Sequence, residues 1–387
     1  MAILIKGGYV KPVSGPDIPK GDVLVDHGKI VAVGAKVKAP SKCRTIDAQG
    51  LIVTPGLVEA HCHVGIHGEA SRWEGNDINE FSNPVTPHLR AIDGFRPDDE
   101  GVAHALAAGV TTALVGPGSA NVIGGTFAAV KLHGADVDSM VLRNPVAMKV
   151  AFGENPKGCY GQSGHKAPVT RMAVAGLLRE TLFKARKYKA DIAEAEKEGK
   201  PRPFDLRMEA LLPVIDGEIP LKAHAHRADD ILTALRIAEE FGVKITLDHC
   251  TDGALVIDRL AKAGRPCLVG PSLGSKTKQE LAHKSFETAG ILDKAGVEVC
   301  IITDAPVIPL QYLPLCAGLA VKAGMKMESA WRAITLNPAR VAGIDNRVGS
   351  LEPGKDADIV LFEGDPLREI AARPRLVMVD GQIVVHD

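Results

Sequence analysis

Between residues 56 and 349, short apolar runs of strand-like composition alternate with amphipathic helical stretches, and eight such units can be counted. A run that is apolar on both faces and is followed by a helix reads as a parallel strand with its crossover, because helices cover both sides of such a sheet. Eight units over about 290 residues predict a (β/α)8 TIM barrel with some insertion. The runs lie at 56–61, 110–116, 126–132, 146–152, 219–224, 243–249 and 266–272, and the eighth, VEVCIITD, ends at Asp304. Helices are clearest at 99–108, 229–241, 254–263 and 286–295, each closed by a glycine.

The two ends of the chain have another texture. AILIKGG, DVLVDHGKIVAVG and TIDAQGLIVTP at the start, and ADIVLFEG, RLVMVDG and QIVVHD at the finish, are β-prone runs punctuated by Gly and Pro. They predict one small β-sandwich domain assembled from 1–55 and 350–387, with the catalytic barrel at 56–349 between them. Charge excludes some partners: 46 Lys plus Arg against 47 Asp plus Glu leave a net charge of -1, which is no field for nucleic acid or anionic membrane. Small molecules are the expected partners. Seven Cys without regular spacing read as reduced thiols, and there is neither a leader-like start nor an apolar run approaching the roughly 20 residues of a membrane span. A soluble, cytoplasmic protein is expected.

Within the barrel region, chemistry gathers at strand ends. His61 and His63 are one residue apart at the end of an apolar run, so both imidazoles project to the same side. Such a pair is weak alone, and His224 with His226 repeats it. The register is what discriminates: His61, His224, His249 and Asp304 each end a different strand, and in a barrel those ends meet on one rim. A carboxylate closing the very apolar run VCIIT is better explained by a neighbouring cation than by a helix cap. His226 lies one position past its strand end and is expected to support a ligand or touch substrate. Two connections, 63–97 and 153–168, are longer than the fold requires, which marks functional loops. The first offers His67, Trp73, Glu74 and Asp77 as a lid or pocket wall. Tyr160, His165 and Arg171 follow strand four as substrate contacts, the Arg suited to a carboxylate. Asn121 is a candidate donor to a carbonyl oxygen. Cys62 and Cys250 flank ligands but point away from them by alternation, as apolar filler.

The segment VTPGLVEAHCHVG, the HAH after the fifth strand, DH at the sixth, TDAP at the eighth and the tail TLNPARVAGIDNRVGSLEPGKDADIVLFEGDP together resemble the amidohydrolase superfamily, near its imidazolonepropionase-like and prolidase-like branch. The likeness runs the whole length of the chain. It implies a metal-dependent hydrolase of a carbon–nitrogen bond in an amide, cyclic amide or dipeptide, acting through a metal-activated hydroxide. One or two divalent ions are implied, zinc first and manganese or iron as substitutes. His61, His63 and Asp304 would hold the more buried ion, and His224 and His249 the second. Members with two ions bridge them with a strand-four lysine carboxylated by carbon dioxide; here that position is Lys149, with Glu154 as its competitor. Asp304 would act as base and then acid, while the metal, with His224 or His249, polarises the carbonyl. A mononuclear deaminase and an imidazolonepropionase-type ring hydrolase are the alternatives, and a non-catalytic scaffold is the reading for a member that has lost its ligands. The superfamily's habit implies a homo-oligomer. No Glu-Gly-Pro signature is present, and GENPK replaces the double glycine usual after strand four in prolidase-like members, so the resemblance leaves the substrate open.

Overall fold

The computed structural model describes residues 2–164 and 166–386; the candidate contact His165 lies outside them. The chain opens with β1 (Ala2–Val10), β2 (Ile18–Asp26), β3 (Lys29–Gly34), β4 (Cys43–Asp47) and β5 (Ile52–Pro55). Then come β6 (Leu57–Cys62), β7 (Val110–Val115), β8 (Ile123–Lys131), β9 (Val141–Ala151), β10 (Leu221–Ala225), β11 (Ile245–His249), β12 (Cys267–Val269) and β13 (Val299–Ile301). It closes with β14 (Ile359–Glu363), β15 (Arg373–Val379) and β16 (Gln382–His386). Each of the eight apolar runs overlaps one of β6 to β13. These strands are paired in sequence order in one eight-stranded sheet, curled into a nearly closed barrel. Across the seam between β6 and β13, Thr303 N and Oγ1 donate to Glu59 Oε2 at 2.9 and 2.7 Å, and His63 N donates to Ala305 O at 2.8 Å.

The barrel departs from the all-parallel expectation at its third strand. β8 runs antiparallel to both β7 and β9. The reason is chain length: a parallel return needs a crossover of about a dozen residues or more, and only residues 116–122 separate β7 from β8. The sequence GPGSANV there is turn chemistry. The remaining pairs, β6 with β7 and β9 through β13, are parallel.

The terminal strands differ from the expected sandwich in detail. All eight join one hydrogen-bonded sheet, in the order β16-β15-β14-β5-β1-β2-β3 with β4 on β1. Ile5, Val23 and Val53 from the start of the chain pack with Ile359, Leu361 and Met378 from its end, which is why neither end can form this core alone. A buried ammonium ties the sheet to the barrel: Lys131, at the end of β8, reaches Asp356 at 2.8 Å, Asp358 at 3.1 Å and Asp380 at 2.6 Å. No helix among the described residues is long and apolar enough to cross a membrane.

Candidate metal centre

Strand ends β6, β10, β11 and β13 deliver their imidazoles and carboxylate to one place. Among the described residues, two groups bring potential ligand atoms within 4.8 Å of one another: His61, His249 and Asp304, and His224, His226 and His249. Asp304 Oδ1 stands 3.4 Å from His61 Nε2 and 3.3 Å from His63 Nε2. Lys149 Nζ, near the C-terminal end of β9, is 3.1 Å from His61 Nε2. His249 and Asp304 hold φ angles of 76° and 54°. That left-handed backbone costs a residue other than Gly about 1–3 kcal/mol and tends to persist where function needs the geometry.

The histidines are oriented from behind. His63 Nδ1 donates to Gly116 O and His249 Nδ1 to Gly270 O, both at 2.7 Å. A carbonyl can only accept, so the proton sits on Nδ1 and the Nε2 lone pair is left facing inward. The glycines are required by close approach: a Cβ on Gly116 would lie 2.0 Å from the Phe127 ring, and one on Gly270 2.1 Å from Ile302 O. His61 Nδ1 meets Asp248 Oδ2 at 2.5 Å, and Lys222 Nζ is 3.1 Å from the same oxygen. Such partners make a ligating imidazole more basic. Asp248→Asn is therefore expected to weaken divalent-ion binding about 10–100-fold, measured by zinc titration of chelator-stripped protein.

Electrostatics keep the imidazoles in their ligating form. Burial holds His61, His224 and His249 well below the usual histidine range, and neighbouring positive charge adds to it. His226 is pushed down to about 3, again mainly by burial. Burial also brings the Lys149 ammonium down to about 8. Desolvation works against an ionised Asp304, yet the hydrogen bond with His63 and the charges around it keep its carboxyl below the ordinary aspartate value. Neutral imidazoles beside an ionised carboxylate form a donor set suited to a divalent cation such as zinc.

Several expected contacts are engaged elsewhere. Glu154 begins the short helix Glu154–Lys157 with its side chain exposed, so the structure does not bring it into the cluster and it does not compete with Lys149 there. Asn121 Nδ2 donates to Asn83 O at 3.1 Å and Thr86 Oγ1 at 2.8 Å. Tyr160 Oη lies 2.9 Å from both Glu80 O and Asn83 O, and 3.1 Å from Asn121 Oδ1. Both side chains thus fasten the long loop after β6, in place of the expected free donors. Arg171 is paired with Asp230 at 3.0 Å. Trp73, Glu74 and Asp77 are exposed and His67 is half-buried. Cys62 and Cys250 are buried, with their thiols on Leu114 O and Leu247 O.

Four charged groups were missed. Glu59, raised to about 7 by burial, holds His61 N and Thr303 together. Asp248 and Lys222 form the pair behind His61. Alternation carried the signal for these: Glu59, His61 and His63 on one strand, and Lys222, His224 and His226 on another, are polar at every second position of otherwise apolar runs. Glu280 has no such periodicity. It arrives from the loop after β12, buried, with Oε1 3.7 Å from the Nε2 atoms of His224 and His226.

Comparison with known proteins agrees with this geometry. The profile described as "Amidohydrolase family" matches residues 215–384. The amidohydrolase tasK of Hapsidospora irregularis is 30% identical over 95% of this chain, which spans 40% of that relative's length. The imidazolonepropionase of Maricaulis maris (strain MCS10) is 26% identical, covering 95% of this chain and 94% of its own. The crystal structure of an amidohydrolase from Thermotoga maritima MSB8 superimposes with a TM-score of 0.96 at 41% identity, with both chains covered completely. Likeness of that extent, over a barrel whose strand ends gather these histidines and an aspartate, places the chain in the amidohydrolase family.

Proposed function

We propose that this chain hydrolyses a carbon–nitrogen bond of a small amide, cyclic amide or dipeptide, using divalent ions, zinc first, held at the barrel mouth. One observation carries the reading. Asp304 Oδ1 stands 3.3–3.4 Å from two Nε2 atoms, and the Nδ1 atoms of both rings are engaged behind them. His61, His63 and Asp304 would hold one ion, and His224 and His249 would contribute to a second. When bound, such an ion lowers the pKa of a coordinated water from 15.7 toward about 7. Asp304, ionised and largely buried at the rim, accepts the proton of the attacking water and returns it to the departing nitrogen. Gly116 O and Gly270 O hold the rings still while this happens.

Lys149 fits a modified role. Burial that brings the Lys149 amine down to about 8 leaves it mostly protonated at neutral pH but with a far larger free-amine fraction, about a tenth, than an ordinary lysine has. The free amine's lone pair can then attack carbon dioxide, forming an N–C bond and releasing a proton, and the product is an anion. That exchanges a buried cation facing the imidazoles for a group able to bridge two metals. Protein equilibrated with zinc and ¹³C-bicarbonate is expected to give a carbamate carbon resonance that Lys149→Met abolishes; its absence from metal-loaded wild type would remove this role.

The decisive experiment is a screen of metal-loaded protein against N-acyl amino acids, dipeptides, lactams and imidazolones, with ammonia release followed in parallel to detect deamination of a ring amine. Hydrolysis that disappears on chelation and returns with zinc is the expected result. A chain that holds no divalent ion would instead be a scaffold.

A further inference from the structure

We propose that the second ion is held by four groups of this chain, His224, His226, His249 and Glu280, so that its retention does not require Lys149. The proposal rests on the reading that the barrel mouth binds divalent ions, and adds which side chains hold the second.

The three imidazoles are packed 4.4 to 4.7 Å apart, centroid to centroid, with ligand atoms within 4.8 Å of one another. Glu280 supplies the fourth donor, its Oε1 equidistant at 3.7 Å from His224 Nε2 and His226 Nε2. In a tetrahedral zinc site with bonds of about 2.0–2.1 Å, neighbouring ligand atoms stand roughly 3.3–3.4 Å apart. The carboxylate therefore needs to close on each of the two imidazoles by only a few tenths of an ångström. His226 is already turned for it, since its Nδ1 meets Thr251 Oγ1 at 2.8 Å and its Nε2 is the atom facing Glu280. Three nitrogens and one oxygen would make a four-coordinate set, with His249, whose ligand atom lies within 4.8 Å of those of His224 and His226, drawn in toward the ion. His249 belongs to both groups of ligand atoms and joins this site to the one containing Asp304.

Glu280 also explains its own burial. A carboxylate whose side chain is 1% exposed demands a cation. Lys278 provides one, with Nζ 2.5 Å from Oε1. That ammonium has a second anchor, Asn155 Oδ1 at 2.9 Å, and its side chain is 26% exposed, so it can leave the carboxylate without being stranded. Lys278 and a divalent ion thus compete for the same oxygen. The competition predicts opposite effects of substitution at two neighbouring positions, which general damage to the fold would not produce.

The test is zinc titration of chelator-stripped, full-length protein by calorimetry, with metal content after gel filtration as the count. Wild type is expected to bind two ions per chain. Glu280→Gln should keep the first and weaken the second by at least about tenfold, Lys278→Met should tighten the second severalfold, and Lys149→Met should retain both. Cobalt substitution gives an independent readout, because loss of the carboxylate alters the visible spectrum of the second ion alone. Equal binding of two ions by wild type and Glu280→Gln would overturn the assignment, as would loss of the second ion in Lys149→Met. A wild type that binds one ion, unaffected by Glu280→Gln, overturns this site and leaves the hydrolase reading standing. A wild type that binds none overturns both.

Discussion

Asp304→Asn is expected to lower kcat by about 10²–10⁴-fold on whichever amide the wild type hydrolyses, the span typical of losing a positioned acid or base. The amide keeps an oxygen where Oδ1 stands between His61 and His63, so the site should still take up zinc, though more weakly. It cannot accept a proton from water or return one to a leaving nitrogen. Measuring bound metal beside turnover separates the two duties: activity lost at full metal occupancy places the proton on Asp304, whereas activity that recovers when zinc is raised makes it a ligand only. Turnover within a few-fold of wild type at equal occupancy would exclude Asp304 as the proton carrier.

The reach of the sequence differs from element to element for physical reasons. β6 to β13 are buried on almost every residue, so they read as unbroken apolar runs, and histidines at their ends stood out against that background. Strand direction leaves no such trace. β8 is as apolar as the parallel strands of the barrel, and only the shortness of 116–122 reveals that it turns back. Charged residues inside strands were legible in principle, because Glu59 and Lys222 keep the same two-residue period as the histidines beside them. Glu280 was not, since a loop residue acquires its neighbours from how the loop folds over the barrel, which local pattern does not encode. Tyr160 and Asn121 illustrate the converse. They lie in loops that follow strand ends, yet their polar atoms are engaged in holding residues 80–86 in place.

Lys131→Met should cost about 3–5 kcal/mol of stability, the usual penalty for removing one partner of a buried ion pair. The side chain is 5% exposed, and two of its three carboxylate partners, Asp356 and Asp358, are 0% and 3% exposed. Asp356 would still have Lys29 and Arg347. Among the described residues Asp358 forms an ion pair with Lys131 alone, and burial already raises its carboxyl to about 6 with Lys131 beside it. The pH dependence follows from that sign. A carboxyl whose folded pKa exceeds its unfolded value binds more protons when folded, so stability falls as pH rises from about 4 to beyond 6 and then levels off. Without Lys131 the folded pKa moves higher still, and the variant's deficit should be larger at pH 8 than at pH 5, where protonation removes the unpaired charge. Denaturant midpoints at the two pH values give the comparison, and Asp358→Asn on the Lys131→Met background should recover part of the loss at pH 8. A single variant within about 0.5 kcal/mol of wild type at pH 8, the range of ordinary surface substitutions, would mean that the ammonium is not what fastens the β8 end of the barrel to the terminal sheet.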